Sequence, residues 1–199
     1  MGLLRAFLAS ELPPDLQDTI RTATAGLRDM LRGDLIRWVP ERNVHLTLKF
    51  LGDVSPSSLD LIKQMMLSEA AQYSAFDAQV EGLGCYPNAR RPRVLWVGLR
   101  APAELVSLQR GIEAAAARLG YESDEREFSP HLTIGRVRQN ASSTDLQSIR
   151  AALDGMHIGW LGTARVDAVH LFKSELRPEG SVYTRLFSAP LRESQEPAS

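Results

Sequence analysis

Cysteine is nearly absent. Cys85 is the only one in 199 residues, which excludes an intrachain disulfide framework and suits a reducing compartment. No apolar run approaches the roughly 20 residues that cross a bilayer. The opening MGLLRAFLAS interrupts its apolar stretch with Arg5 and has no small-residue cleavage site, so it reads as a first strand and not as a signal peptide. Gly2 lacks the companion that myristoylation requires, because Ala6 stands where Ser or Thr is needed. Neither sign of charge dominates: the formal net charge of −1 gives no global pull toward nucleic acid or membrane, so any anionic ligand must be held by a local cluster. H-x-H, HExxH and cysteine-cluster patterns are also missing, which argues against a metal site. The expectation is a cytoplasmic, monomeric globular chain with no metal, no cofactor and no membrane association.

Four amphipathic helices stand out. LPPDLQDTIRTATAGLRDMLRG begins at Pro13 and Pro14, carries Leu16, Ile20, Ala23, Leu27 and Leu31 on one face, and ends at Gly33. SPSSLDLIKQMMLSEAAQY opens with Ser55 as N-cap and Pro56 as first helical residue. PAELVSLQRGIEAAAARLG and SSTDLQSIRAALDG follow in the second half, closed by Gly120 and Gly155. Strands are expected over 4–9, 44–51, 75–83, 93–99, 131–137, 164–172 and 181–188. Each half thus reads strand, long helix, strand, shorter helix, strand. The fold class expected is α+β: two pseudo-symmetric lobes, each an antiparallel sheet with helices on its outer face, around a central cleft. Lobe one is expected over about 1–90 and lobe two over about 91–190, with exchange of strands between them allowed. NARRPR at 88–93 is the expected boundary, and 191–199 is expected to be a disordered tail.

Within this duplication one phrase is written twice. HLTL begins at His45 and HLTI at His131, at matching places in the two halves. On a strand, His45 and Thr47 share a face with Lys49, while Leu46, Leu48 and Phe50 take the other; His131 and Thr133 repeat this over Leu132 and Ile134. Two imidazoles can act as general base and general acid in one displacement, and two hydroxyls can donate to the non-bridging oxygens of a phosphate between them. His157 and His170, in GMHIGW and AVHLFK, lack the following threonine and read as structural.

The paired H-x-T-x motifs, the contexts NVHLTLKFLGDV and FSPHLTIGR, and the intervening RVLWVGL strand resemble the 2H phosphoesterase superfamily, in particular its bacterial and archaeal RNA 2′,3′-cyclic phosphodiesterases, also called 2′-5′ RNA ligases. The likeness runs from about residue 3 to about 188. It implies a bilobal fold and hydrolysis of a 2′,3′-cyclic phosphate at an RNA end, tRNA halves included, to a 2′-phosphate, with reversible 2′-5′ ligation as a further activity. It also implies His45 as proton donor to the departing 3′ oxygen and His131 as acceptor from water. Read by themselves, the two motifs do not tell acid from base.

Around the motifs stand Arg42, Lys49, Arg136 and Arg138, with Arg90, Arg91 and Arg93 in the expected interlobe loop. Lys49 and Arg136 are taken as phosphate ligands beside Thr47 and Thr133. Strict alternation puts Arg136 on the wrong face, so it reaches the cleft only if Gly135 forms a bulge or the strand ends there. Tyr183, in GSVYTRL, is the preferred substrate-stacking aromatic over Phe128, Trp38 and Trp96; Phe50 reads as core. Two other functions fit the same residues: a phosphodiesterase for a small cyclic nucleotide or 2′-5′ oligoadenylate, and a non-catalytic RNA-binding module. The second is disfavoured because binding alone is served as well by Lys or Arg. Turnover of an RNA ending in a 2′,3′-cyclic phosphate is expected to survive EDTA. Loss on chelation with recovery on adding one divalent ion would contradict the two-histidine reading.

Overall fold

The computed structural model of the chain describes residues 2–124, 126–177 and 180–193. Nine antiparallel strands carry the alternating runs: β1 (Leu4–Glu11), β2 (Ile36–Trp38), β3 (His45–Val54), β4 (Phe76–Tyr86), β5 (Val94–Arg100), β6 (His131–Val137), β7 (Trp160–Val166), β8 (Ala168–Arg177) and β9 (Gly180–Pro190). The helices are α1 (Pro14–Ala23), α2 (Ala25–Met30), α3 (Leu59–Ala70), α4 (Ala103–Arg118) and α5 (Ser143–Asp154). The first expected helix is broken at Thr24, whose buried hydroxyl bonds the Ile20 carbonyl at 2.8 Å in the back-bonding that bends helices. Ser142 and Asp145 form a reciprocal capping box at the start of α5.

The strands run in the order β7-β4-β5-β6-β3-β1-β8-β9, with β2 added beside β6. At the middle of this order β6 and β3 share one residue pair, Leu46 opposite Leu132, so the sheet is two wings joined at a point. This confirms the α+β, two-lobed architecture. The lobes are not, however, the first and second halves of the chain. β1 and β3 are joined in their wing by β8 and β9, while β4 lies in the other wing between β5 and β7. The exchange has two local causes. The expected strand 164–172 is divided at Asp167, so that β7 pairs with β4 and β8 with β1. NARRPR is not a boundary but the hairpin loop of the directly paired β4 and β5. Of the expected tail, Arg192 bridges to Ser74 and Leu191 donates to the Asp167 carbonyl at 2.7 Å, while residues 194–199 lie outside the described residues.

The helices share one large core with the alternate strand residues that face them, among them Leu46, Leu48, Leu132 and Ile134 with Ile62, Leu105, Leu108 and Ile149. A second, small cluster of Phe7, Ala9 and Phe172, with Tyr183 against it, lies on the opposite face of the β1 wing. Because Leu46 and Leu132 sit at the joint between the wings, the structure is expected to be sensitive there. Leu132, fully buried, is expected to cost about 2–5 kcal/mol when cut to alanine, measured as a lowered urea midpoint; a change below about 0.5 kcal/mol, the scale of ordinary surface substitutions, would show that the joint is not critical.

Candidate active site

The meeting of β3 and β6 places the two motifs side by side. With Leu46 opposite Leu132, antiparallel counting puts His45 across from Thr133 and Thr47 across from His131. In a regular ladder such diagonal partners, here the two histidines, lie about 7–8 Å apart. The leucines point into the helix-covered core, and the imidazoles and hydroxyls point away from it, half-buried.

Each imidazole is held in the same way. His45 Nδ1 lies 2.7 Å from the Asn43 carbonyl and His131 Nδ1 lies 2.8 Å from the Ser129 carbonyl. A carbonyl only accepts, so each Nδ1 donates a proton, and each neutral ring keeps the lone pair on Nε2 for a substrate. Asn43 is itself tied to β9 by its side-chain N–H to the Ser181 carbonyl at 2.9 Å. His45 stacks on Phe7 with ring centroids 4.9 Å apart, and Tyr183 meets it edge-on at 5.3 Å. Tyr86 stands edge-on to His131 at 4.9 Å, its hydroxyl 2.7 Å from Ser129 Oγ. Trp96, the cross-strand partner of Thr133, lies flat on Gly84, where a Cβ would overlap its ring. Beside His45 opens a pocket lined by Glu11, Arg42, Asn43, Phe172 and Tyr183 among others.

Directly after each motif the strand carries one extra residue. In β6 the partners step from Thr133 opposite Trp96 to Gly135 opposite Leu95, leaving Ile134 as the bulge. Parity reverses there, and Arg136 emerges exposed on the cleft face, where its charge acts on both imidazoles. This is the bulge on which access of Arg136 to the cleft depended. In β3, Thr47 pairs with Ala9 and Lys49 with Leu8, leaving Leu48 as the extra residue. The same reversal there removes Lys49 from the site, contrary to expectation. Lys49 is 5% exposed, with its ammonium bonded to the Glu113 carboxylate on α4 and to the Glu122 carbonyl. Phe50, expected in the core, is 64% exposed on the cleft face, its ring 6.0 Å from that of Phe7. Phe50 and Arg136 each follow their histidine by the same interval, so aligning HLTLKF with HLTIGR would have marked Phe50. Of the other aromatics, Trp38 and Phe128 pack against the core. His170 is buried, with Nδ1 2.9 Å from Ser188 Oγ; His157 is exposed.

Burial lowers the pKa of both motif histidines. His45 falls to about 4, chiefly through desolvation, with the bond to Asn43 opposing and the charges of Arg136 and His131 adding to the fall. His131 is lowered by desolvation first, opposed by its bond to Ser129 and assisted by Arg136. At neutral pH both rings are therefore uncharged without substrate, and an anion between them would raise both values. Among the described residues no three His, Cys, Asp or Glu side chains gather where they could hold a metal ion, and no helix is long and apolar enough to cross a membrane. Since the cation of Arg136 depresses both pKa values, Arg136→Met is expected to raise the His45 titration midpoint, read from the imidazole proton NMR shifts. An unchanged midpoint would remove Arg136 from the site.

Comparison with known proteins agrees with this arrangement. The family model for LigT like phosphoesterases matches residues 11–96 and again residues 97–183, once for each sequence half. A Methanothermobacter thermautotrophicus protein named RNA 2′,3′-cyclic phosphodiesterase is 33% identical over 183 residues, spanning 91% of this chain and 95% of its own. One of the same name from Archaeoglobus fulgidus is 32% identical over 174 residues, spanning 86% and 94%. A crystal structure of a Thermus thermophilus protein superposes with a TM-score of 0.79 at 26% identity, over 96% of this chain and 100% of that one. Escherichia coli LigT complexed with 3′-AMP gives 0.72 at 26% identity, over 95% and 98%. With both halves matched and both motifs meeting at one joint, this chain belongs to the LigT-like phosphoesterase family, within the 2H phosphoesterases.

Proposed function

We propose that the protein hydrolyses 2′,3′-cyclic phosphate ends of RNA to 2′-phosphates by proton transfer between His45, His131 and the reacting oxygens. The observation that carries this reading is the matched pair of imidazoles, each with Nδ1 bound to a carbonyl two residues upstream and Nε2 left for substrate. The cyclic phosphate sits between the rings. One Nε2 takes a proton from water as the new P–O bond forms; the other, protonated once the phosphate anion has raised its pKa, gives a proton to O3′ as the P–O3′ bond breaks. His45 is assigned the donor role and His131 the acceptor role by analogy with the family. Thr47 and Thr133 donate to the non-bridging oxygens, Arg136 offsets the developing charge, and Tyr183 and the exposed ring of Phe50 provide surfaces for base and ribose. A 5′-hydroxyl of RNA in place of water would give a 2′-5′ linkage through the same two transfers.

The names of the relatives support the choice of RNA ends as substrate. The test uses an RNA ending in a 2′,3′-cyclic phosphate, with the product identified as the 2′-phosphate. His45→Ala and His131→Ala are each expected to lower kcat by about 10²–10⁴-fold, and Thr47→Ala or Thr133→Ala by the equivalent of about 1–3 kcal/mol. Near-normal turnover in either histidine variant would refute the mechanism.

A further inference from the structure

Arg37 lies at the centre of the three-residue edge strand β2, and its cross-strand partner is Arg136. The neighbouring partners Ile36 and Val137 are both buried in the helix-side core. Arg37 and Arg136 therefore project from the opposite face, the one that carries the imidazoles, and both are exposed. Two like charges directly opposite each other destabilise a strand pair, yet neither guanidinium has an acidic partner among the described residues. The acids nearest in sequence to Arg37 are engaged elsewhere: Asp34 pairs with Arg138 at 3.3 Å and Glu41 with Arg21 at 3.7 Å. Arg136 lies on β6, the strand that carries His131, whereas Arg37 lies across from it on β2, so Arg37 stands one step further from the scissile position.

We propose that Arg37 binds the phosphate on the 5′ side of the terminal nucleotide while Arg136 holds the scissile one, which makes the preferred substrate an oligonucleotide end and not a cyclic mononucleotide. This assignment rests on the cyclic phosphodiesterase reading and names the substrate class of the same site. Neighbouring phosphates along one strand are the chemistry that two adjacent guanidinium groups without an acidic partner among the described residues match: each fork donates bidentately to one phosphate, and binding relieves the repulsion between the two cations. The edge position of β2 leaves the strand leading to the terminal nucleotide free to run out over the rim of the cleft.

The experiment compares kcat/KM on three substrates: a nucleoside 2′,3′-cyclic phosphate, the same compound carrying a 5′-phosphate, and a dinucleotide with the same cyclic end. The wild-type protein is expected to favour the second and third over the first. In Arg37→Ala both preferences should fall about tenfold to a hundredfold, the range of a lost charge-assisted bond, mainly through KM, and Arg37→Lys should recover part of the loss. Each preference is a ratio within one preparation, so incomplete folding cancels. The wild-type protein reads the same charge without substitution: its preference should decline between about 50 and 200 mM salt. Preferences that respond neither to salt nor to Arg37→Ala would overturn the Arg37 assignment while leaving the phosphodiesterase reading intact. A gain for the dinucleotide alone, absent with the 5′-phosphate, would show that the nucleoside and not the phosphate is recognised. A wild-type protein inert on all three would overturn the functional reading and this assignment with it.

Discussion

Leu46 and Leu132 form the residue pair that joins β3 to β6, the strands at which the sheet passes from one wing to the other, and the candidate site depends on that contact. Both are buried with the helix-side core beneath them. Because strand side chains alternate, burying these leucines forces His45, Thr47, His131 and Thr133 onto the other face together. Slipping either strand by one residue would bury the polar groups and expose the leucines, so the hydrophobic effect that anchors the joint also sets the register of the site. Only one pair bridges β3 and β6, and each strand then pairs with its own wing. The open face between the wings follows from that divergence.

Dry packing around the imidazoles has an electrostatic consequence. Phe7 and Tyr183 beside His45, and Tyr86 beside His131, exclude water from the rings and push their pKa values down. The two backbone carbonyls oppose this by accepting from Nδ1, and they also orient both rings. A site built this way holds no charge of its own on the histidines at neutral pH and gains one when an anion arrives. Arg136 depresses both imidazoles, and the same cation would attract an anion whose arrival reverses the effect.

Much of this was legible in the chain. Hydrophobic period, proline and serine starts and glycine stops located the helices, and the repeated HLT phrase at matching places in both halves named the four central residues. What could not be read were the points where one strand takes an extra residue. Lys49 looked like a phosphate ligand and Phe50 like core because alternation was carried through Leu48; the bulge there exchanges their faces. The division at Asp167, which sends β7 and β8 to different wings, left no mark stronger than one aspartate inside an apolar run. Strand β2 was missed because three residues are too few to show a period, and Arg37 went with it.

The sequence by itself determined the local chemistry: that His45, Thr47, His131 and Thr133 share their strands with apolar residues of the opposite parity, and that two equivalent imidazole and hydroxyl pairs exist. Those properties depend on neighbours along the chain, which a strand or helix period reports directly. Only the tertiary structure decided that the two motifs adjoin at Leu46 and Leu132, that Arg136 faces the imidazoles while Lys49 is paired with Glu113, and that Arg37 stands opposite Arg136. Each of these turns on which strand lies beside which and where the pairing slips. Long-range pairing is set by the packing of the whole core, a sum over contacts between residues far apart in the chain, and no local pattern encodes it.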